Sequence, residues 1–413
     1  MIAVGAACSL VSVPLALHYL PAEEFGLWAV VFQVAGYFAL ADTGISSAIG
    51  RLLIDHRSER PSKAYGAVFF GGLAVLFGLS VVVLACGFAL LPFLPVWLNI
   101  GGHLRTEFGI LAAVQIVVTA ASLPIRSVGQ SILSAARYDL LHACLSASIL
   151  ANLAALWIAF VAGAGVFAFA WAALAGYLVS SISQFGVAWH LRTLPGHGEI
   201  SFPRGGQWRP MGAFAGDVIF VQLGNTLVFS TQTVIVSSAL GLTAAATWAA
   251  GSKLFYLFFQ LAGKVAEVAG PQMAGMHVAG ESGKLDRTIR RIVALTVGTA
   301  SAAAVALVAG NSLFVKIWTG GKISWPSEAN LPLAVWLVLA SVAAALTSHA
   351  LAAKRLARIR HVYLIEGVFG TALAAWVAPQ FGIPGVAGAF ALSCLLFSFR
   401  ATVMHFLFHE NPA

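Results

Sequence analysis

Leu20-Pro21-Ala22-Glu23-Glu24-Phe25-Gly26-Leu27-Trp28-Ala29 returns 220 residues later as Leu240-Gly241-Leu242-Thr243-Ala244-Ala245-Ala246-Thr247-Trp248-Ala249, with Leu, Trp and Ala in register. A slide of 217 lays Arg137 on Lys354 and Gly165 on Gly382, without a gap over the 28 residues between. The landmarks keep their order, so the chain reads as two parallel copies of about 200 residues, both strongly apolar. Duplicated apolar halves are the usual plan of a secondary transporter, whose substrate site sits between the repeats.

Composition agrees. The 413 residues are 60% hydrophobic and 9% charged, with a mean hydropathy of +0.90. Soluble domains carry about 25% charged residues, so this chain lacks the polar groups to cover a soluble globule. Apolar runs of about 20 residues recur, each long enough to span a bilayer as a helix. An outer-membrane barrel needs short alternating strands instead. Cys8, Cys86, Cys144 and Cys394 lie inside apolar runs without metal or redox spacing and read as small packing residues. The first segment has no Lys or Arg ahead of it and no clear cleavage site, so it reads as a membrane helix rather than a signal peptide.

The expected fold is an all-α polytopic membrane protein of about 12 transmembrane helices, in two six-helix pseudo-symmetric lobes around a central cleft. The spans fall near 2–20, 25–50, 64–95, 107–133, 140–162, 165–190, 211–240, 243–270, 287–316, 331–352, 361–380 and 383–408. Turn residues punctuate them at Leu20-Pro21, Leu94-Pro95, Gly163-Ala164-Gly165 and Gly382-Ile383-Pro384. The N-lobe covers 1–194, a Gly-, Pro- and Arg-rich linker 195–210, and the C-lobe 211–413. Lys and Arg are retained in cytoplasmic loops. Sixteen of them lie in the even-numbered loops, with clusters at Arg51 to Lys63, Lys284 to Arg291 and Lys354 to Arg360. Only Arg105, Lys316 and Lys322 lie on the other side. Both termini are therefore expected in the cytoplasm. The net charge of +8 is mostly this bias, and implies contact with anionic membrane lipids, not nucleic acid.

Charges at bilayer depth cost about 2.5–3.5 kcal/mol or more each, so they usually face a cavity or a partner. Within the spans lie Arg126, Lys253, Lys264, Arg400, Asp42, Asp217, Glu267 and Glu366. In span eight, Lys253, Tyr256, Gln260, Lys264 and Glu267 are spaced +3, +4, +4 and +3, one stripe about 80° wide. Span two repeats it with Gln33, Tyr37, Gly44, Ser47 and Arg51. Either both helices line a shared aqueous cleft, or Lys264 and Glu267 form a lipid-shielded ion pair with snorkelling neighbours. Arg126 either meets an anionic substrate or snorkels to the cytoplasmic surface; Arg400, mid-span, is expected in a cavity or ion pair. Asp42 lies on the face of its helix opposite Gln33 and is expected to contact a neighbouring helix. His18, His349 and His405 show no ligand spacing, so neither metal nor cofactor is expected. The chain has no Walker loop, nucleotide fingerprint or nucleophile elbow.

The stretch Leu20 to Trp28, then Leu40-Ala41-Asp42-Thr43-Gly44-Ile45 and Arg51, resembles the amino-terminal signature of bacterial polysaccharide transporters, the Wzx-type O-antigen and exopolysaccharide flippases. Their superfamily also holds lipid II flippases and multidrug exporters. Ser237-Ser238-Ala239-Leu240-Gly241, Trp248, Lys253-Leu254 and Pro271-Gln272-Met273-Ala274 resemble its seventh and eighth helices. Ala352-Ala353-Lys354 and the run Gly382 to Ala389 resemble its tenth to twelfth. Two features depart from the family: the first helix carries no basic residue, as if short at the amino end, and Ser230-Thr231-Gln232-Thr233 replaces an acidic position of the seventh helix.

The resemblance implies alternating-access transport of an undecaprenyl-diphosphate-linked oligosaccharide across the bacterial inner membrane, in contact with lipids, a polysaccharide polymerase and other assembly proteins. The substrate-binding residues would be Lys253, Lys264, Arg126, Arg400, Gln33, Tyr37, Gln260 and Glu267, with the cations offsetting desolvation of the diphosphate. The alternative is an ion-coupled multidrug exporter of the same superfamily. A membrane enzyme would need a sizeable external loop or a His/Asp catalytic pair, and the loop from Trp97 to Glu107 has neither. A purely structural scaffold would leave the buried charges an unexplained cost.

Overall fold

The computed structural model describes residues 2–39, 42, 45–57, 62–201, 221–278, 282–352 and 360–409, which are helical almost throughout and form no strand. The chain divides into two compact units, Met1–Ile219 and Phe220–Ala413. Most of the 195–210 linker, all of Asp217, and the basic residues Lys354, Arg355 and Arg358 lie outside the described residues. Among the described residues seven helices are long and apolar enough to cross a membrane, with a shorter apolar one at Ala3–Tyr19.

In the first unit the helices are α1 (Ile2–Tyr19), α2 (Ala22–Ala39), α3 (Ile45–Asp55), α4 (Lys63–Leu90), the short α5 (Leu94–Trp97), α6 (Arg105–Ser134), α7 (Tyr138–Val161) and α8 (Ala168–His190). The second holds α9 (221–230), α10 (Gln232–Leu240), α11 (Leu242–Gly251), α12 (Lys253–Val278), α13 (Ser282–Trp318), α14 (Asn330–Ala352), α15 (Arg360–Cys394) and α16 (Arg400–His409). Large apolar side chains such as Trp157, Val161, Trp171 and Ile182 are exposed, which fits surfaces facing lipid tails rather than water.

The duplication is visible in the backbone. Helix α2 begins at Ala22 and α11 at Leu242, the same position after a slide of 220. The residue before each start is a different breaker, Pro21 in one copy and Gly241, at φ 88°, in the other. The corner between α7 and α8 carries Gly165 at φ 54°, and its counterpart Gly382 has φ 59°. A side chain is strained at such φ values, so both copies keep glycine there. At Gly382 the chain turns within α15, so the spans expected at 361–380 and 383–408 run as one bent helix, a π-helical turn at Leu395–Phe399, and α16.

Two further spans are broken. The expected 25–50 run is α2 and α3, with Asp42 between them. The 243–270 run divides at Ser252, whose hydroxyl bonds back to the Trp248 carbonyl at 2.7 Å. Ser and Asp compete with the helix ladder through such local bonds.

Polar clamps hold each unit. In the first, Ser62 caps α4 by accepting from the Tyr65 amide at 3.2 Å. Glu199 accepts from the Ser62 amide at 3.1 Å and the Gly196 amide at 2.9 Å. Tyr65 donates its hydroxyl to the Thr193 carbonyl at 2.9 Å. The strap 193–199 is thereby laid across the start of α4, so close that a Cβ on Gly66 would stand 1.7 Å from the Glu199 carbonyl oxygen. Beneath it Ile49, Leu53, Phe69, Leu76, Val128 and Ile132 form the core. In the second unit Asn330 accepts from the Trp325 indole at 2.7 Å and donates to Ser312 at 3.0 Å. Trp336, fully buried, stacks with Phe255 at 4.4 Å and with Phe229 and Phe390.

Candidate functional site

Three helices of the first unit each turn a polar row to the same space. On α6 the row is Gln115, Ser122, Arg126 and Gln130, spaced +7, +4 and +4. On α7 it ends in Ser148 and Asn152; on α8 it is Tyr177, Ser180 and Gln184. At 100° per residue each row keeps to one side of its helix. Helix α8 packs on both α6 and α7. Small residues let it close in: a Cβ on Gly176 would meet that of Asn152 at 3.2 Å, and one on Gly129 the Gln184 side-chain oxygen at 2.7 Å. The rows, with Trp28 and Phe32 of α2 and with Asp42 and Ser46, line an open-sided cavity of about 650 Å³. That lies within the range of about 300–1,000 Å³ usual for small-molecule sites.

Charge in this cavity is paired. Asp42 is fully buried, Arg126 donates to its Oδ2, and Ser46 donates to its Oδ1 at 2.5 Å. The Arg126 side chain is 37% exposed against 0% for Asp42. A guanidinium has five N–H donors, and those of Nε and Nη2 have no partner among the described residues. Gln184 donates to Ser180 at 2.8 Å. By contrast, the amides of Gln115, Gln130 and Asn152 and the Tyr177 hydroxyl make no hydrogen bond among the described residues. Trp28 stacks one ring face on Phe169 at 4.4 Å. Among the described residues no group of three His, Cys, Asp or Glu side chains is placed to hold a metal ion.

Of the residues singled out in the sequence, Arg126 lines this cavity, and Asp42 reaches across to it on α6. Gln33 and Tyr37 are half-buried on α2 and do not line it; the α2 residues that do are Trp28 and Phe32. In the second unit Lys253 opens α12 and is half-buried, as is Lys264, while Gln260 is exposed. Tyr256 turns back into its own unit, donating to Gln232 and to the Phe229 carbonyl at 2.9 Å. The side chain of Glu267 lies outside the described residues. Arg400 is exposed where the π-helical turn meets α16. Glu366 is buried and accepts from the Ser398 amide of that turn at 3.0 Å. Sequence reasoning missed Gln115, Gln130, Asn152, Tyr177 and Gln184. The signal was available as helical spacing of amides and hydroxyls in spans four to six, without a charge to draw attention.

The described residues make an all-helical fold with several membrane-crossing helices and a polar cavity in its apolar first unit, the architecture of a polytopic membrane protein. The solved structures it resembles agree on the fold. An inward-facing multidrug resistance MATE family transporter of the MOP superfamily matches with a TM-score of 0.73 and 15% identity, over 99% of this chain and 96% of that one. The lipid II flippase MurJ in an inward closed conformation matches with a TM-score of 0.71 and 12% identity, over 97% and 85%. A MOP superfamily transporter from Pyrococcus furiosus, described as having a binding pocket of reversed polarity, matches with a TM-score of 0.60 and 13% identity, over 99% and 95%. No curated protein matches the chain in sequence. The family is given by residues 1–277, which match the model of the polysaccharide biosynthesis proteins; the chain belongs to that family.

Proposed function

We propose that this protein moves an undecaprenyl-diphosphate-linked oligosaccharide from the cytoplasmic to the periplasmic leaflet of the bacterial inner membrane by alternating access. One observation carries the reading: a polysaccharide-biosynthesis chain holds, inside an apolar helical unit, a cavity lined by amides, hydroxyls and a partly exposed guanidinium. Polar groups within a bilayer are costly unless they meet partners, and a glycan supplies them in number. Lys253 and Lys264 are assigned the diphosphate, as charge-assisted donors; the prenyl tail stays in lipid. Both termini are cytoplasmic in this reading, as the Lys and Arg bias requires.

A second reading, export of small cationic drugs coupled to an ion, is favoured by the likeness to MATE transporters and by the buried carboxylate of Asp42. That carboxylate is already paired with Arg126, which leaves little negative charge for a cation to find.

The test is complementation of a bacterial strain lacking its own O-unit flippase, scored by surface polysaccharide. Restored polymer that disappears with Lys253→Gln and Lys264→Gln, the protein still inserted, supports the transport and the assigned lysines. Restored polymer in the double variant refutes the lysines' role. Absence of polymer together with raised drug resistance refutes the flippase reading in favour of the exporter.

A further inference from the structure

The geometry points to the first unit's cavity as the subsite for an uncharged sugar ring of the carried glycan, rather than for its diphosphate or an acidic sugar. This inference rests on the flippase reading for its context, though not for its chemistry. Among the described residues that line the cavity the charged ones are Arg126 and Asp42, and the two cancel. A phosphate or uronate entering would bring a negative charge to a site whose cation is already neutralised by a fully buried carboxylate. Desolvating that charge without a free counter-charge is expensive. A cationic drug fares no better, for the carboxylate is sealed behind Arg126 and Ser46.

What the cavity does offer is neutral and directional. Gln115, Gln130 and Asn152 each present one carbonyl acceptor and two N–H donors, all without partners among the described residues. Adjacent ring hydroxyls, which donate and accept, match a planar amide edge. Tyr177 adds a hydroxyl, the spare N–H groups of Arg126 add donors without net charge, and Trp28 supplies an apolar ring of the kind that covers sugar C–H faces. Asn152 and Gln130 also pack against Gly176 and Gly50, but that contact is one of shape and uses none of their hydrogen-bonding groups. The polar groups of Asn152 and Tyr177 make no hydrogen bond among the described residues that a truncation would break, so their polarity is accounted for by what enters the cavity.

The experiment uses the full chain in lipid nanodiscs and three probes. Binding of N,N′-diacetylchitobiose, of a glucuronic acid–N-acetylglucosamine disaccharide, and of undecaprenyl diphosphate without sugar is measured by calorimetry. Asn152→Ala, Gln115→Ala and Tyr177→Phe are compared with wild type, with thermal unfolding confirming the fold. Each variant is expected to weaken chitobiose binding about fivefold, the worth of one net hydrogen bond of about 1 kcal/mol. The acidic disaccharide is expected to bind at least about tenfold more weakly than the neutral one. Undecaprenyl diphosphate is expected to bind all four proteins alike. Chitobiose binding that is absent, or unmoved by all three variants, overturns the subsite, as does preference for the acidic sugar. Failure of undecaprenyl diphosphate to bind overturns instead the flippase reading, and leaves the sugar site to stand on its own data.

Discussion

The Arg126–Asp42 pair is asymmetric, and that asymmetry fixes what its removal does. Asp42 is 0% exposed and Arg126 is 37% exposed. In Arg126→Gln the carboxylate stays buried with Ser46 as its remaining donor. Breaking a buried pair by removing one partner costs about 3–5 kcal/mol; partial exposure of the arginine argues for the lower end, because solvent screens it. In Asp42→Asn the arginine can reach solvent, and a cost of about 1 kcal/mol is expected. The double variant removes both charges and should fall near Asp42→Asn rather than at the sum. For a unit of this size about 1 kcal/mol moves the melting temperature by about 2–4 °C. Arg126→Gln should therefore melt about 6–12 °C lower, and Asp42→Asn about 2–4 °C lower. Thermal unfolding of the four proteins in nanodiscs, followed by intrinsic fluorescence, completes the cycle. Equal losses in the two single variants, or additive losses in the double, would refute the argument that a buried carboxylate depends on this arginine.

Two other outcomes follow from features outside the cavity. Gly66→Ala sets a Cβ against the Glu199 carbonyl, a backbone atom that cannot swing aside; it should cost about 1–3 kcal/mol and open the 193–199 strap to protease, while Gly388→Ala, which meets open space, should be harmless. Glu24, half-buried in the first turn of α2, has its carboxyl held above the ordinary value of 4.5 by burial, then by the carboxylates of Glu107 and Glu23. The folded state thus disfavours its ionised form, and stability falls as pH rises through the carboxylate range. Glu24→Gln should raise the melting temperature at neutral pH, with the gain vanishing below about pH 4; a gain that persists in acid would refute the electrostatic cause.

Much of the architecture was legible in the sequence because membrane helices are written in composition. Apolar runs, punctuating glycines and prolines, and the two slides identify the halves, and the backbone answers them at Ala22 and Leu242 and at Gly165 and Gly382. The cavity was harder to read. Arg126 and Asp42 are 84 residues apart, and a pair across two helices leaves no mark in local spacing. Attention to charge favoured Lys253 and Lys264, whereas the larger polar surface of the first unit is made of uncharged amides and hydroxyls. Isolated in an apolar run, Gln115 or Asn152 reads as tolerated polarity; three rows converging on one space depend on helix packing, which no single span encodes. The broken spans at Asp42 and Ser252 escaped for a related reason, since hydropathy records where a helix crosses and not whether its ladder is continuous.

The paired glycine corners also bear on ancestry. Around Gly165 and Gly382 the neighbouring side chains have drifted far apart, yet φ differs by only 5°. A conformation that one amino acid alone tolerates well admits almost no substitution, so it ages more slowly than the surfaces around it. Such corners work as fossils of a doubled gene. Aligning the two halves on positive-φ glycines therefore offers a sounder measure of their common descent than aligning them on their interchangeable apolar residues.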